Sequence, residues 1–574
     1  MSSATRTQGS SGRFSQQNVT LIVLLVLVGI LVLGPLPVLV RASFAPSGTT
    51  PFETSIFTLD NYRAMLASAD TFNLVLNTVI YAIGSVSIAV SLATAIAWLT
   101  ERTDMPGQVL IRILMFSWMA VPPLVLGFGW ILLINPGSGA LNVWAKMLFG
   151  MTQPLFTIYS IWSLIFITAL AAVPTAYVMV SGLLRNIDPQ LEQAGKVMGA
   201  RPWSVIRRIT LPLLTPGILS VLIYMFMAVV QTFDLPLIIG LTARIPVLST
   251  RVYLLSSPDR GLPNYGLSSA FGIFLLLLAS LLMWGYLYAT RVGERFRVVT
   301  GKGFRPRRLE LGPWRYPALG GVMVYFLIML LPVLMLLWAS LFPVYRTPSF
   351  ELLSSASFAS YAKAFNSSMV QRAALNTLIL VVLSGTVVML LASLIGWFSV
   401  RASKGIGRTI DILSFAPTAI PPVVMVVAIL LLYLQTPLYG TIWLLVIGHA
   451  TIYLAFGART MVAAIMQIHK ELMDAALISG ASWFTGMRRI IFPLVWPHIL
   501  NGWLWVVAHS ARDLTIPLTL MTASNMVLSS ALFMMWDFPD LPGAAAVSML
   551  LVLASLVVVV PLQILAGRAS AHRA

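Results

Sequence analysis

The chain has 574 residues, 58% of them hydrophobic and 9% charged, with a mean hydropathy of +0.90 and a formal net charge of +18. Soluble domains carry roughly 25% charged residues, so this composition excludes a soluble globular protein and assigns the chain to a lipid bilayer. Cysteine is absent, which excludes a disulfide frame, a thiolate nucleophile and a cysteine-ligated metal.

Residues 1–18 read as a short polar tail. Twelve apolar stretches follow, at roughly 19–41, 74–99, 109–134, 155–181, 213–240, 268–290, 317–342, 374–400, 409–434, 442–466, 494–521 and 543–566. Membrane strands would be half as long and would alternate in polarity. The expected fold is therefore all-α, a membrane protein of twelve transmembrane helices. The first stretch is longer than the core of a signal peptide and no small-residue cleavage site follows promptly, so it reads as a retained span. Pro122-Pro123 and Pro421-Pro422 sit inside the third and ninth stretches and are expected to kink them.

With the N-terminus placed in the cytoplasm, 26 of the 36 Lys and Arg residues fall on that side and ten on the other. The positive-inside rule then puts both termini in the cytoplasm. The basic excess is topology and not a nucleic-acid patch. The expected location is a bacterial inner membrane.

The chain repeats itself. Leu76-Asn77-Thr78 and Leu375-Asn376-Thr377 open the second and eighth stretches, 299 residues apart, and Ala120-Val121-Pro122-Pro123 and Ala419-Ile420-Pro421-Pro422 keep that offset. Further on the offset is 281, as in Gly199-Ala200 with Gly480-Ala481 and Arg207-Arg208-Ile209 with Arg488-Arg489-Ile490. Six stretches per copy make the two repeats parallel. They occupy 19–290 and 317–566, with a basic, Gly- and Pro-containing linker at 291–316 and a short tail at 567–574.

Two polar loops, about 185–212 and 466–493, follow the fourth and tenth stretches. In the first, Asp188 and Pro189 form a helix start, Leu191, Ala194 and Met198 share one face, and Gly199 ends the helix in a left-handed conformation. Pro212 opens the next span. The second loop runs from Glu471 to Gly480 and on to Pro493, with His469 at the expected helix start and Leu472, Ala475 and Ala476 on its apolar face.

These loops resemble the EAA loop of ATP-binding-cassette importer permeases, which runs E-A-A, three residues, Gly, about nine residues, I-x-L-P. Gln193-Ala194-Gly195, Gly199, Ile209 and Leu211-Pro212 match in the first copy, and Asp474-Ala475-Ala476, Gly480, Ile490 and Phe492-Pro493 in the second. Gln193 and Asp474 replace the family's Glu, Gly195 an Ala, and Phe492 a Leu. The resemblance extends over nearly the whole chain and is closest to fused twelve-span permeases for ferric iron, thiamine, phosphonate and related solutes. It implies that each loop is a coupling helix docking on one of two copies of a cytoplasmic ATPase, which carries the ATP and Mg. It also implies a periplasmic solute-binding protein at the outer mouth. Ferric iron is the first candidate for the solute, with thiamine, phosphonates and polyamines behind it.

No G-x-x-x-x-G-K-[ST] phosphate loop occurs, so the chain is expected to be a transport subunit with no catalytic site and no cofactor of its own. None of the five histidines has metal-site spacing. Gln231, Asp234, His509, Arg512 and Asp513, near the outer ends of the fifth and eleventh stretches, are candidates for a pathway or gate at the outer mouth. An ion-coupled carrier of the major-facilitator type is the alternative, but such carriers need ionisable groups deep in the bundle, and the mid-span regions are nearly free of them.

Overall fold

A computed structural model describes residues 16–50, 52–53, 55–185, 198–199, 202–257, 263–294, 309–537 and 540–571. The described chain is helical, and the one strand-like pairing in it is a parallel bridge between Thr103 and Leu309. Among the described residues, nine helices are long and apolar enough to cross a membrane. In the first repeat these are Gln16–Ser43, Ala69–Arg102, Ile161–Arg185, Leu211–Gln231 and Tyr265–Tyr288. The second repeat supplies Gly312–Ser340, Ser368–Arg401, Ile442–Met466 and Trp483–Arg512. The third and ninth crossings are broken, and Leu541–Val557 is the apolar part of the twelfth. The twelve helices form two six-helix repeats.

The third and ninth spans differ from the kinked helices expected. Gln108–Trp118 meets Pro123–Ile134 at 96°, and Lys404–Ala419 meets Pro422–Tyr433 at 105°. The second proline of each pair starts a new helix, where its missing N–H costs nothing. The first, extended at ψ 134° and 133°, cannot continue the preceding turn. Two prolines in a row thus break a helix where one would only kink it.

The repeat extends to individual hydrogen bonds, which explains the Leu-Asn-Thr motif. The Thr78 hydroxyl accepts from the Leu248 N–H at 3.0 Å, and the Thr377 hydroxyl accepts from the Leu528 N–H at 2.8 Å. Asn77 and Asn376 donate to the carbonyls of Pro246 and Met526 at 3.5 and 2.9 Å. Each motif therefore holds the start of a short buried helix, Leu248–Ser256 or Leu528–Asp537, against the second or eighth span. Ser249 and Ser529 donate from the same starts to the carbonyls of Thr232 and Asp513, at 2.7 and 2.6 Å.

The two repeats interlock through their first helices. Leu24, Val28 and Val32 of the first span are buried among Val388, Met389, Trp397 and Met461 of the second repeat. Conversely, Val322, Tyr325, Phe326 and Met329 of the seventh span lie in a core formed largely by the first repeat. There the Tyr325 hydroxyl donates to the Leu170 carbonyl at 3.2 Å. The seventh span approaches the third so closely that a Cβ at Gly129 would lie 2.3 Å from the Pro332 carbonyl oxygen. Side chains such as Ile22, Val23, Leu277, Leu281, Leu327 and Leu390 point outward, as a lipid-facing surface requires.

Thr377→Val removes the acceptor of the Leu528 N–H while preserving shape. Leaving a buried N–H unpaired costs about 1–3 kcal/mol, so the detergent-solubilised variant should unfold at a lower temperature and Thr377→Ser should not. Size-exclusion profiles after heating measure the difference.

Candidate functional site

Of the two polar segments, 185–212 and 466–493, the second is described throughout. The tenth span ends at Met466, and a short helix, Glu471–Ile478, follows. It closes in a double hydrogen bond: the Ala481 N–H reaches the Ala476 carbonyl and the Gly480 N–H the Leu477 carbonyl, both at 3.0 Å. This closure needs a left-handed residue, and Gly480 supplies it at φ 83°. Gly199, its counterpart, has φ 80°. Among the described residues nothing lies within 4 Å of a Cβ built on either glycine, so the positive φ is what favours glycine there.

Downstream, both copies pass through a wide turn, Ile206–Thr210 and Met487–Ile491, into Leu211–Gln231 and Phe492–Arg512. Pro212 and Pro493 are the second residues of those spans. A proline cannot donate to the carbonyl four residues back, and its ring crowds that carbonyl. The preceding turn opens accordingly, with the Phe492 N–H reaching back five residues to the Met487 carbonyl.

Two details differ from expectation. Met473 and Ala476 turn inward, while Leu472, Ala475 and Asp474 are exposed and Ile478 is 87% exposed. The inward face is set by Gly486, whose missing side chain makes room for the Met473 sulfur; a Cβ there would lie 2.6 Å from it. His469 precedes the helix, which begins at Glu471 after Lys470. Gln193, Ala194, Gly195 and Asp188 of the first segment lie outside the described residues.

The second site lies where the repeats meet. The Arg512 guanidinium, at the end of the eleventh span, donates through Nη1 to the Met119 carbonyl in the break of the third span. Asp234 of the first repeat lies near the Thr515 side chain and near the charges of Arg512 and Asp513. The Asp513 carboxylate accepts from the Ile516 N–H at 3.0 Å and stands 3.6 Å from Nε2 of the buried His449. Tyr453, midway along the tenth span, faces the same three charges. From there an aromatic series crosses the tenth and eleventh spans. His509 stacks on Trp505 with ring centroids 3.7 Å apart, and Trp505 stacks on Phe456 at 3.5 Å.

Asp234, Arg512 and Asp513 are therefore brought together, and His509 adjoins them through Tyr453, at 6.2 Å between rings. Gln231, which occupies the position of Arg512 in the first repeat, is half-buried, and its Nε2 has no hydrogen-bond partner among the described residues. The group is buried against the break of the third span. Beyond these spans the chain continues as the short buried helices Pro236–Gly240 and Thr515–Leu520. His449, Tyr453 and Thr515 belong to this cluster although the sequence reading gave them no pathway role. The 281-residue offset did hold a signal for Thr515, because it aligns that residue with Asp234. Among the described residues no group of three or more His, Asp or Glu is arranged to hold a metal.

Two segments, residues 89–291 and 388–569, match the family described as "Binding-protein-dependent transport system inner membrane component". The chain belongs to this family. It is a multi-pass inner-membrane transport subunit, and nothing supports the major-facilitator alternative. The permease is 24% identical over 457 residues to the putative ferric transport system permease protein FbpB 1 of Haemophilus influenzae, covering 78% of this chain and 69% of that one. It is 24% identical to the ferric transport system permease protein FbpB of Actinobacillus pleuropneumoniae, covering 78% and 64%. The spermidine/putrescine transport system permease protein PotC of Escherichia coli is 26% identical over 206 residues, covering 36% of this chain and 78% of its own. Among solved structures, a bacterial alginate transporter in complex with its alginate-bound periplasmic protein aligns at a TM-score of 0.39 and 19% identity, covering 50% of this chain and 96% of that one.

Removing the guanidinium should expose the charge balance of the interior cluster. Breaking a buried ion group by deleting one partner costs about 3–5 kcal/mol. Arg512→Gln should therefore lower thermal stability clearly, and Asp234→Asn in the same chain should restore part of it. Thermal unfolding of the single and double variants reads both effects.

Proposed function

We propose that this permease is the transmembrane subunit of an ATP-driven importer and carries ferric iron, bare or chelated, from periplasm to cytoplasm. One observation carries the reading: two coupling segments with the same glycine-to-proline spacing occur in register within a duplicated family domain. Two segments in one polypeptide offer two docking sites, so the partner is a pair of ATPase subunits, on which ATP and Mg reside. A periplasmic solute-binding protein delivers the cargo to the opposite face. Both termini and the basic linker lie in the cytoplasm, in accordance with the charge distribution. The permease contributes no cofactor and no catalytic group. Ferric iron is favoured because the relatives matching most of the chain are named for ferric transport. A polyamine is the second candidate, with the shorter PotC match as its support.

In this reading Gln193, Ala194, Gly195 and Gly199, with Asp474, Ala475, Ala476 and Gly480, present the docking surface, and Pro212 and Pro493 set the angle at which each loop re-enters the membrane. On the second loop the outward Leu472, Ala475 and Ile478 are the residues that meet the ATPase. The solute passes between the repeats. The Arg512 bond to the Met119 carbonyl closes that path in the present conformation. Asp234, Asp513, Gln231 and His509 line it once the bond is released.

The purified complex should contain two ATPase subunits per permease chain, read by mass measurement in detergent; a stable saturated complex with one would overturn the docking assignment. Gly480→Val places a β-branched residue at φ 83°, a cost of about 1–2 kcal/mol. It should uncouple transport of 55Fe supplied as ferric citrate into proteoliposomes, with membrane insertion retained. Gly480→Asn, which tolerates the left-handed region, should retain most of it. Spermidine uptake in place of iron uptake would move the substrate assignment to the second candidate.

A further inference from the structure

Glu101 is the penultimate residue of the second span, and its side chain is only 7% exposed. Arg112, at the start of the third span, donates to it through Nε at 3.1 Å and Nη2 at 3.0 Å. Arg185, the last residue of the fourth span, donates through Nε at 3.1 Å and Nη2 at 2.8 Å. Both carboxylate oxygens are thus held by two guanidinium groups in paired geometry, the strongest form of charge-assisted hydrogen bond. An exposed ion pair contributes little, but this carboxylate is enclosed.

The position of the triad gives it a role. Arg185 is the residue at which the fourth span enters the first coupling segment. Next to Glu101, the Arg102 Nη2 donates to the Leu184 carbonyl at 2.7 Å, satisfying a helix-end acceptor. The linker between the repeats is fastened at the same place. The Leu309 N–H donates to the Arg102 carbonyl at 2.8 Å, the Asp104 N–H to the Leu309 carbonyl at 3.0 Å, and the Leu311 N–H to the Asp104 carboxylate at 2.8 Å.

The second repeat lacks this device. Val400, Asp411 and Met466 occupy the positions of Glu101, Arg112 and Arg185, and Asp411 pairs instead with Arg459 at 3.2 Å. Its coupling segment is seated by apolar packing, with Met473 against Gly486 and Trp483 stacked on Phe398 at 5.9 Å. Only the clasp by Arg401 on the Ile468 carbonyl parallels Arg102.

We propose that Glu101 is the positioning residue of the first coupling loop, and that it ties the entry of that loop to the third span and the inter-repeat linker. The two ATPase docking sites are then held by different chemistry, ionic in the first repeat and apolar in the second. The proposal rests on the reading of these loops as docking elements. It predicts an effect confined to one of the two.

Because the chain has no cysteine, single cysteines at Met198 and Ser479 can carry spin labels in the assembled complex without background labelling. Glu101→Gln should increase label mobility at 198, leave it unchanged at 479, and lower the stimulation of ATP hydrolysis by loaded binding protein about tenfold. Arg185→Gln, at a side chain 56% exposed and outside the packed core, should give the same one-sided change. The double variant should be no worse than Glu101→Gln alone, as expected of partners in one interaction. Equal responses at both labels, additive losses, or an unchanged label at 198 in Arg185→Gln would overturn the proposal. Gly480→Val in the same assay separates the two readings: if it uncouples and Glu101→Gln does not, the positioning role fails and the docking reading stands. If neither uncouples, the docking reading itself fails.

Discussion

A bilayer interior offers no water to a broken helix, so each interruption of the backbone must be answered by a partner from elsewhere in the bundle. This permease interrupts its helices repeatedly. Pro122-Pro123 turns the third span through 96° and exposes carbonyls at its break, one of which, from Met119, is taken by Arg512 of the other repeat. The short helices Leu248–Ser256 and Leu528–Asp537 begin against the second and eighth spans, and their first N–H groups are met by Thr78 and Thr377. Several polar residues in this apolar sequence thus answer its prolines and chain breaks.

The same requirement explains why the interior cluster lies between the repeats. A cation that satisfies a carbonyl of the opposite half must itself be balanced, and Asp234 and Asp513 stand near it, one from each half. Polar groups here both hold the halves in one arrangement and mark where that arrangement can change. Packing works on a longer scale towards the same end, since the first and seventh spans each lie in the core of the other repeat.

Much of this was legible in the sequence, for reasons that differ by element. Long apolar stretches fixed the number of crossings because bilayer thickness sets helix length. Gly480 announced a left-handed helix end and Gly199 a left-handed residue, since few others accept that conformation. Leu-Asn-Thr showed itself only as a repeat; its job became visible once Leu248 and Leu528 stood opposite. The inward face of Glu471–Ile478 was misread because three small or apolar neighbours offered more than one face, and the choice was made by a gap at Gly486, a tertiary fact. His449, Tyr453 and Thr515 escaped for a related reason. Their neighbours are far away along the chain, and no local pattern records a meeting across two repeats.

The exchange of first spans has a consequence for biogenesis. Leu24, Val28 and Val32 enter the membrane early in synthesis, yet the surfaces that bury them, around Val388 and Met461, follow more than 300 residues later. During that interval the first helix must wait in lipid with its packing face unclaimed, held near its destination only by the covalent chain. Fusion of the two halves makes the late encounter intramolecular and therefore concentration-independent. A version expressed as two separate halves would have to find the same partner by diffusion in the plane of the membrane, in competition with other copies of itself.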